Sequence, residues 1–500
     1  MKLRFLKNAA YLTLTGFLLR ALGMLMRIYL SARIGEEGMG IYQLVTSAYF
    51  LFITLAQSGL AVTVTGICAS KLAVCERAQA QAVLKSAVKT ALFTGTLSGA
   101  LMLMLSGVIT KYWIADIRAF YALCSLSLSL PFIATGGVLS GYFTANKNVV
   151  NGCLAQIIEQ LSRLAAVAAA IALFSESDIS VLLAAVFFAN TLSEAVSCGF
   201  LALCYLRGKR FPHPPKESYV KQIVTKAYPV ALTRYLVSGL HTVENMLAPV
   251  AITLYTDSRA LALSQFGALK GMALPLLFFP FSLLSALSTL LLPEISESGA
   301  TGNRARTEAI VRRTCNITLT LSVMVGGVFF ILSDDIGMTV YSSDKVGPIL
   351  RVLAPIVPFM YLDSICDGLL KGLGMQKKVL FNNCIDSALR ILLTLFLVPR
   401  TGLSGFLFMM IVSNVTVSLL NFRQLLLASG VKNRIFTWWI LPFLYAFASA
   451  FITNFLPSFG ATIPNLLLHC LFFCLIYGVF SLLFTGKNIF YKKTQKSPLI

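Results

Sequence analysis

The sequence is poor in charge, and the charge that it carries is mostly positive. Only 12% of its 500 residues are charged, with 41 Lys and Arg against 20 Asp and Glu. Hydrophobic residues make up 57% of the chain, and the mean hydropathy is +0.80. So little charge over so long a chain excludes a soluble globular protein and is typical of an integral membrane protein.

Several functional motifs are also missing. The eleven cysteines include no CxxC pair and lie mostly in apolar segments, so they predict buried thiols and no disulfide or zinc framework. No GxxxxGK[ST] phosphate loop is present, so we expect no ATP hydrolysis. The excess of basic residues lies in short loops between apolar segments, with no basic domain, which excludes nucleic acid as a partner.

Long apolar runs predict an all-α integral membrane protein with fourteen transmembrane helices. Their predicted bounds are 9–32, 41–70, 88–109, 117–143, 150–173, 180–206, 227–254, 264–292, 315–333, 346–370, 379–398, 402–428, 438–456 and 463–485. Most basic loop residues fall in alternate connecting segments, which the positive-inside rule assigns to the cytoplasm. We therefore expect a multi-pass protein of the cell membrane, surrounded by the lipid bilayer, with both termini cytoplasmic.

The chain also repeats itself. One constant shift along the chain sets Pro131 on Pro358, and a slightly smaller shift sets Arg20 on Arg234. Internal repeats around a midplane site are common in secondary transporters. The repeat predicts an N-terminal lobe (1–206), a cytoplasmic linker (207–226), a C-terminal lobe (227–434), an extra helix pair (435–486) and a basic cytoplasmic tail (487–500), with six helices in each lobe.

The first apolar segment carries Arg20 and Arg27 in its interior. An arginine at the centre of a spanning helix costs roughly 2.5–3.5 kcal/mol on insertion scales, so a plain anchor would not use it. The two residues are two turns apart and therefore project from one face. They are interpreted either as a cationic stripe that lines a water-filled cavity for an anion, or as side chains that snorkel or pair with neighbouring carboxylates.

Further basic residues occur inside the seventh and eighth spans. Arg234 and His241 repeat the spacing of Arg20 and Arg27, and Lys270 lies early in the eighth span. If the two halves face each other, these side chains surround one central cavity with the first-span arginines. The alternatives are polar packing for His241 and snorkelling toward the outer interface for Lys270.

Two acid–base pairs lie inside predicted spans, at i, i+4 spacing and at matched positions of the repeat. They are Glu159 with Arg163 and Asp386 with Arg390. Pairs of this kind neutralise themselves within a helix, so we interpret both as structural ion pairs. Asn382 lies one turn before Asp386, and with Glu244 these oxygens offer an alternative interpretation as a sodium site.

Two stretches resemble a known family: LLRALGMLMRIYLSARIGEEGMGIYQLV (18–45) and LAQSGLAVTV (55–64). They are similar to the multidrug/oligosaccharidyl-lipid/polysaccharide exporter (MOP) superfamily, in its stage V sporulation protein B and polysaccharide-exporter branch, related to lipid II flippases. The resemblance implies two lobes in a V around a central cationic cavity, and an extra helix pair that forms a groove for a polyprenyl tail.

The resemblance also implies roles for single residues. Arg20 and Arg27 match first-helix arginines of the family, which lipid II flippases space one residue closer, and Lys270 matches a cavity arginine. A second-helix arginine of lipid II flippases has no counterpart near 55–59. Asn382 and Asp386 match the spacing of a sodium site of the family, with Glu244 as a weaker match.

Together these features predict a transporter and not an enzyme. We expect a flippase that moves an undecaprenyl-diphosphate-linked sugar, most plausibly lipid II, from the inner to the outer leaflet by alternating access. The diphosphate would bind among the basic side chains of spans one, seven and eight, and sodium or the membrane potential would drive the return without another cofactor. Cell-wall synthases are expected partners, for cell-wall or spore-cortex assembly. The alternatives are a cation-coupled multidrug exporter and a polyprenyl-linked membrane glycosyltransferase.

Overall fold

The computed structural model describes residues 2–57, 59–174, 176–208, 218–455 and 462–484, and these residues are helical almost throughout. Short 3₁₀ and π-helical turns connect some of the helices, and the described residues contain no strand. The α-helices are α1 (Lys2–Gln57), α2 (Leu60–Ala73), α3 (Arg77–Val108), α4 (Phe120–Ser127), α5 (Leu130–Ala145), α6 (Val149–Phe174), α7 (Ile179–Arg207), α8 (Val220–Thr256), α9 (Arg259–Phe266), α10 (Leu274–Phe278), α11 (Phe281–Ala300), α12 (Arg304–Ile331), α13 (Ser333–Tyr341), α14 (Val346–Leu353), α15 (Val357–Gly372), α16 (Gln376–Phe396), α17 (Val398–Ser429), α18 (Leu441–Thr453) and α19 (Ile463–Phe484).

The predicted fold class, an all-α membrane protein, is confirmed. Within the described ranges, eleven helical segments are long and apolar enough to cross a bilayer, or twelve if the bent pair α4 and α5 forms one span. One of them, Leu14–Ala73, is 60 residues long. At 1.5 Å per residue it measures about 90 Å, which is enough for two crossings. It is kinked at Gly35, where φ is 66°, between the first two predicted spans. The total of fourteen spans stays a prediction.

The described chain divides into two compact units. The first contains the residues up to Gly271 together with Thr394–Gly402, and the second contains Met272–Leu393 and the residues from Leu403 onward. Helices α8 and α9, which we assigned to a C-terminal lobe, group with the first unit, so the predicted lobe boundaries stay a prediction. The predicted tail 487–500, and 209–217 of the predicted linker, lie outside the described residues.

In the first unit, glycines let α1 and the α9 region approach to backbone contact. A methyl group added at Gly267 would lie 1.9 Å from the carbonyl oxygen of Glu36, and one at Gly40 would lie 2.2 Å from that of Leu263. Close approach at small residues is the usual way in which helices associate in a membrane, where apolar burial drives association little. The second half of α1 is therefore packed directly on the segment that leads to Lys270.

The sequence repeat has a structural counterpart in each unit. In the first, Gly99 of α3 packs on the carbonyl oxygen of Ser127, at 2.7 Å from an added methyl group. In the second, at the matched position of the repeat, Gly326 of α12 packs on the carbonyl oxygen of Ala354, at 2.8 Å. Both acceptors lie just before a helix that has a proline in its first turn. Ser127 is the last residue of α4, before α5, and Ala354 begins a 3₁₀ turn before α15. The two halves therefore share their packing as well as their residues.

The second unit holds the predicted extra pair, α18 and α19, against α12. Tyr445, Phe473 and Tyr477 form a buried aromatic cluster with Val323. The Tyr477 hydroxyl donates a hydrogen bond to the carbonyl of Thr320 at 2.8 Å, which satisfies a polar group that would otherwise be buried in apolar surroundings. The predicted groove for a lipid tail would thus have α12 as its support.

The contact between α1 and the α9 region can be tested with Gly267→Ala. The added methyl group meets backbone that cannot rotate away, so we expect a loss of about 1–3 kcal/mol and a lower unfolding temperature in detergent. Gly66→Ala in α2 is the matched control, because nothing lies within 4 Å of its added methyl group. Equal unfolding temperatures for the two variants would contradict the contact.

Candidate substrate site and buried ion pairs

Arg20 and Arg27 lie on one stripe of α1 with Gly23 between them. Arg20 is exposed and Arg27 is half-buried. A methyl group added at Gly23 would lie 3.9 Å from the side-chain nitrogen of Gln160 on α6. None of the ion pairs among the described residues involves either arginine. The structure thus does not show the pairing with a neighbouring carboxylate that the sequence left open. The stripe of Arg20, Gly23 and Arg27 lies along the contact between α1 and α6.

Helix α8 carries Arg234 and His241 in the same unit. Arg234 is exposed, and the His241 side chain is 51% exposed. The helix packs on the second half of α1, where the Thr242 hydroxyl lies 3.4 Å from the Ser47 carbonyl oxygen. Arg234 takes part in no ion pair within the ranges that the structure covers. Like Arg20 and Arg27, Arg234 therefore has no carboxylate among the described residues that balances its charge.

Lys270 is in a different situation. It lies in the π-helical turn Gly267–Ala273, and its Nζ is 3.2 Å from Oε1 of Glu244. The Lys270 and Glu244 side chains are only 12% and 2% exposed, and Nδ1 of His241 lies 3.7 Å from the other oxygen of Glu244. The structure thus joins three predicted site residues around one buried carboxylate, and that carboxylate balances the charge of Lys270.

All five residues predicted to bind substrate belong to the first unit. The structure brings His241 and Lys270 together on Glu244, whereas it shows no side-chain contact that joins Arg20, Arg27 and Arg234. Their convergence on one cavity stays a prediction.

The pair Glu159 and Arg163 is formed, and it has a third member, Glu194. Nη2 of Arg163 lies 2.5 Å from Oε1 of Glu159 and 3.2 Å from Oε1 of Glu194 on α7. Nε of the same guanidinium donates to the Ser193 hydroxyl at 3.3 Å. All three charged side chains are at most 23% exposed. Two acids therefore share one base.

The second unit contains a similar arrangement around Arg390. Nε of Arg390 lies 2.9 Å from Oδ2 of Asp386 and donates to the Ser413 hydroxyl at 2.7 Å. Ser413 donates in turn to Asp386. The residue after this serine is Asn414, whose side chain is buried and donates to the carbonyl of Met410 at 2.7 Å.

The three residues of the predicted sodium site, Asn382, Asp386 and Glu244, each contact other side chains. The amide nitrogen of Asn382 donates to Asn421 at 2.7 Å, and its oxygen accepts from Gln424 at 3.4 Å. Asp386 is occupied by Arg390, and Glu244 by Lys270. No group of three or more His, Cys, Asp or Glu side chains suited to a metal occurs in the part of the chain described. The sodium interpretation of Asn382, Asp386 and Glu244 stays a prediction.

The sequence patterns did not identify the serine anchors Ser193 and Ser413, or the bond from Asn421 to Asp363 at 2.8 Å. A signal for the serines exists: the dipeptides Ser-Glu at 193 and Ser-Asn at 413 follow the two arginines on the next helix. The shift that relates the two serines is smaller than the one that relates the two arginines, because the connection between the helices is shorter in the second half.

Comparison with known proteins decides the family. A model of the polysaccharide biosynthesis protein family matches residues 5–299, more than half of the chain. The chain belongs to this family. Among curated members of the wider group, stage V sporulation protein B of Bacillus subtilis is 25% identical over 438 residues, which cover 84% of this chain and 83% of that protein. The lipid II flippase MurJ of the same organism is 20% identical over 432 residues, covering 81% and 79%.

Solved structures share the fold of this polysaccharide biosynthesis family member. A lipid II flippase MurJ in an inward closed conformation superposes with a TM-score of 0.72 at 16% identity, covering 95% of this chain and 99% of that one. An inward-facing multidrug transporter of the MOP superfamily superposes with a TM-score of 0.67 at 14% identity, covering 82% and 94%. The resemblance found in residues 18–64 is thereby confirmed, and the chain has the MOP transporter fold.

The buried contact of Lys270 with Glu244 predicts a thermodynamic coupling. Glu244→Gln removes the charge that faces Lys270, and breaking a buried pair from one side typically destabilises by about 3–5 kcal/mol. The double variant Glu244→Gln with Lys270→Met removes both charges, so we expect it to recover most of the unfolding temperature measured in detergent. If the two changes prove additive, the pair is not coupled.

Proposed function

We propose that this protein is a flippase that moves a polyprenyl-diphosphate-linked sugar from the inner to the outer leaflet of the cell membrane. The observation that carries the proposal is the pair Arg20 and Arg27, which lie in an apolar helix with no ion-pair partner among the described residues. A charge in that position is expensive unless a cavity and an anion receive it.

The chemistry of a diphosphate fits this stripe. A guanidinium donates two parallel hydrogen bonds to phosphate oxygens, and such charge-assisted bonds are roughly twice as strong as neutral ones. Arg234 on α8 offers a third guanidinium of the same kind. Lys270 can bind the diphosphate only if its Nζ leaves Glu244 and contacts a phosphate oxygen instead.

The cargo is inferred from the relatives. One is a lipid II flippase and another a stage V sporulation protein, so we propose lipid II or a similar precursor, used in cell-wall or spore-cortex assembly with cell-wall synthases as partners. The polyprenyl tail would lie along α18 and α19, and both termini would be cytoplasmic. Transport would proceed by alternating access, without chemical change of the cargo.

Multidrug export is the second candidate, because transporters of that class share the fold. Cationic drugs require carboxylates that are open to them. Glu244, Asp386 and Glu159 are instead each bound to a basic side chain. The charge pattern of the described residues thus favours an anionic cargo.

The cargo site can be tested in liposomes with fluorescent lipid II. We expect Arg20→Ala and Arg27→Ala each to slow flipping about tenfold or more, because a hydrogen bond to a charged group contributes roughly 1.5–3 kcal/mol. Arg33→Ala is the charge-matched control, since Arg33 is an exposed residue of the same helix outside the predicted stripe. Normal flipping in both stripe variants at normal insertion would refute this site, and drug–cation exchange without lipid flipping would establish the second candidate.

The lipid that the protein binds can be identified directly by native mass spectrometry. We expect the purified protein to retain a polyprenyl-diphosphate lipid, and Arg27→Ala to lose it while retaining ordinary phospholipids, because only the diphosphate needs the guanidinium. A product with a new glycosidic bond after incubation would instead indicate a glycosyltransferase.

A further inference from the structure

A cavity of about 580 Å³ lies in the second unit, where the turns between α11 and α12 and between α15 and α16 meet the end of α17. Small-molecule sites in proteins usually measure roughly 300–1,000 Å³. Helices α12, α15, α16 and α17 belong to segments that are long and apolar enough to cross the bilayer, and the cavity lies at their ends. The ends of spanning helices lie at the depth of the lipid headgroups, so the cavity is an interfacial one.

Arg304 lines this cavity without a carboxylate that balances its charge. It is exposed and takes part in no ion pair within the ranges that the structure describes. The acids closest to it along the chain have other partners, since Glu297 lies 3.6 Å from Arg306 and Glu308 contacts Arg312. A guanidinium donates two parallel hydrogen bonds to a phosphate, and basic pockets between membrane helices bind phosphate headgroups.

Three buried hydroxyl groups of the cavity have already used their protons. The Ser429 hydroxyl donates to the carbonyl of Leu425 at 2.7 Å. The Ser298 and Thr307 hydroxyls lie 2.9 Å apart, and their other bonds go to backbone carbonyl groups three and four residues earlier. Only oxygen lone pairs remain on these side chains, so they can bind a donor but not a phosphate oxygen. A ligand that satisfies them needs hydroxyl groups as well as a phosphate.

The first unit has the same turn before α3 as the second has before α12, with different side chains. The amide of Glu76 donates to the carbonyl of Lys71, and the amide of Asn303 donates to the carbonyl of Ser298, both at 3.0 Å. In the first unit the side chains of Lys71 and Glu76 form an ion pair at 3.0 Å. The second unit has a hydroxyl and an amide at these positions, so its turn forms no such pair beside Arg304.

The second turn of the cavity shows a similar difference. Lys147 after α5 and Gly374 after α15 occupy matched positions, with φ of 59° and 78°. A methyl group added at Gly374 would have nothing within 4 Å. The first unit therefore has a lysine side chain at a position where the second unit has only the space of the cavity.

We infer that this cavity binds a phosphoglycerol group, with its phosphate on Arg304 and its glycerol hydroxyls donating to the oxygens of Ser298, Thr307 and Ser429. The group could come from the headgroup of phosphatidylglycerol or from a soluble phosphoglycerol. The interfacial depth of the cavity favours the lipid. The site is in the second unit, away from the predicted cargo residues of the first, and it does not depend on the proposed function.

The site can be tested by native mass spectrometry of the whole protein in detergent, titrated with one lipid at a time. We expect phosphatidylglycerol to bind more tightly than phosphatidic acid, which lacks the hydroxyls, and than phosphatidylethanolamine, which lacks the net negative charge. Arg304→Ala should weaken phosphatidylglycerol binding about tenfold or more, because a hydrogen bond to a charged group contributes about that factor. Arg77→Ala is the matched control, since Arg77 is the exposed arginine at the same turn position of the first unit. Equal affinities for the three lipids, or an Arg304→Ala variant that binds like the wild type, would overturn the site.

Gly374→Lys separates a shaped cavity from a charged surface. It introduces the residue that the first unit has at this position, in a backbone conformation that Lys147 already adopts there, so it should fold and unfold like the wild type. The new side chain fills the cavity while it adds a positive charge. We expect phosphatidylglycerol binding to weaken. Tighter binding would overturn the site in favour of non-specific attraction to basic loops.

Two further measurements identify the source of the group and separate this site from the cargo site. Soluble glycerol 3-phosphate should bind much more weakly than the lipid; if it binds as tightly and displaces the lipid, the site stands with a soluble ligand. Arg27→Ala should bind phosphatidylglycerol like the wild type. Loss of this lipid in Arg27→Ala would place it at the α1 stripe and overturn the assignment to the second unit.

Discussion

The placement of guanidinium groups inside apolar helices constrains the rest of this structure. A charge in hydrocarbon must be balanced by an acid, or it must face water or a ligand. Arg163 and Arg390 follow the first course, each with an acid one turn away and a serine on the next helix. Arg20 and Arg27 follow the other, since no ion pair among the described residues includes them. The same residue type therefore serves stability in two helices and is available for binding in a third.

The internal repeat makes it possible to compare the paired arginines of the two units. Matched glycines pack on matched carbonyl groups, and the helix break before Pro131 recurs before Pro358. Against this shared frame the differences become informative. After the matched serines, the first unit has Glu194, which contacts Arg163, whereas the second unit has Asn414, which bonds to Met410 of its own helix.

Much of the fold could be predicted from the sequence, because hydrophobic runs and basic loops are direct consequences of the bilayer. The intrahelical pairs were also predictable, since i, i+4 spacing fixes their distance. Contacts between helices were not. Glu194 is far from Arg163 along the chain and on another helix, and the contact between Lys270 and Glu244 depends on how α8 packs beside a π-helical turn that hydropathy does not reveal. The partners of Asn382 and Asp386 could not be predicted for the same reason: the two residues are one turn apart, yet each is also bound to a residue on another helix.

The kink at Gly35 has a mechanical consequence. Beyond it, α1 is fixed to the α9 region by backbone contact at Gly40 and Gly267, so this half of the helix cannot slide. Before it, the half with Arg20 and Arg27 is joined to the fixed half through a residue with left-handed backbone geometry. A force on Arg20 and Arg27 would therefore rotate the N-terminal half of α1 about Gly35, while the C-terminal half stays in place.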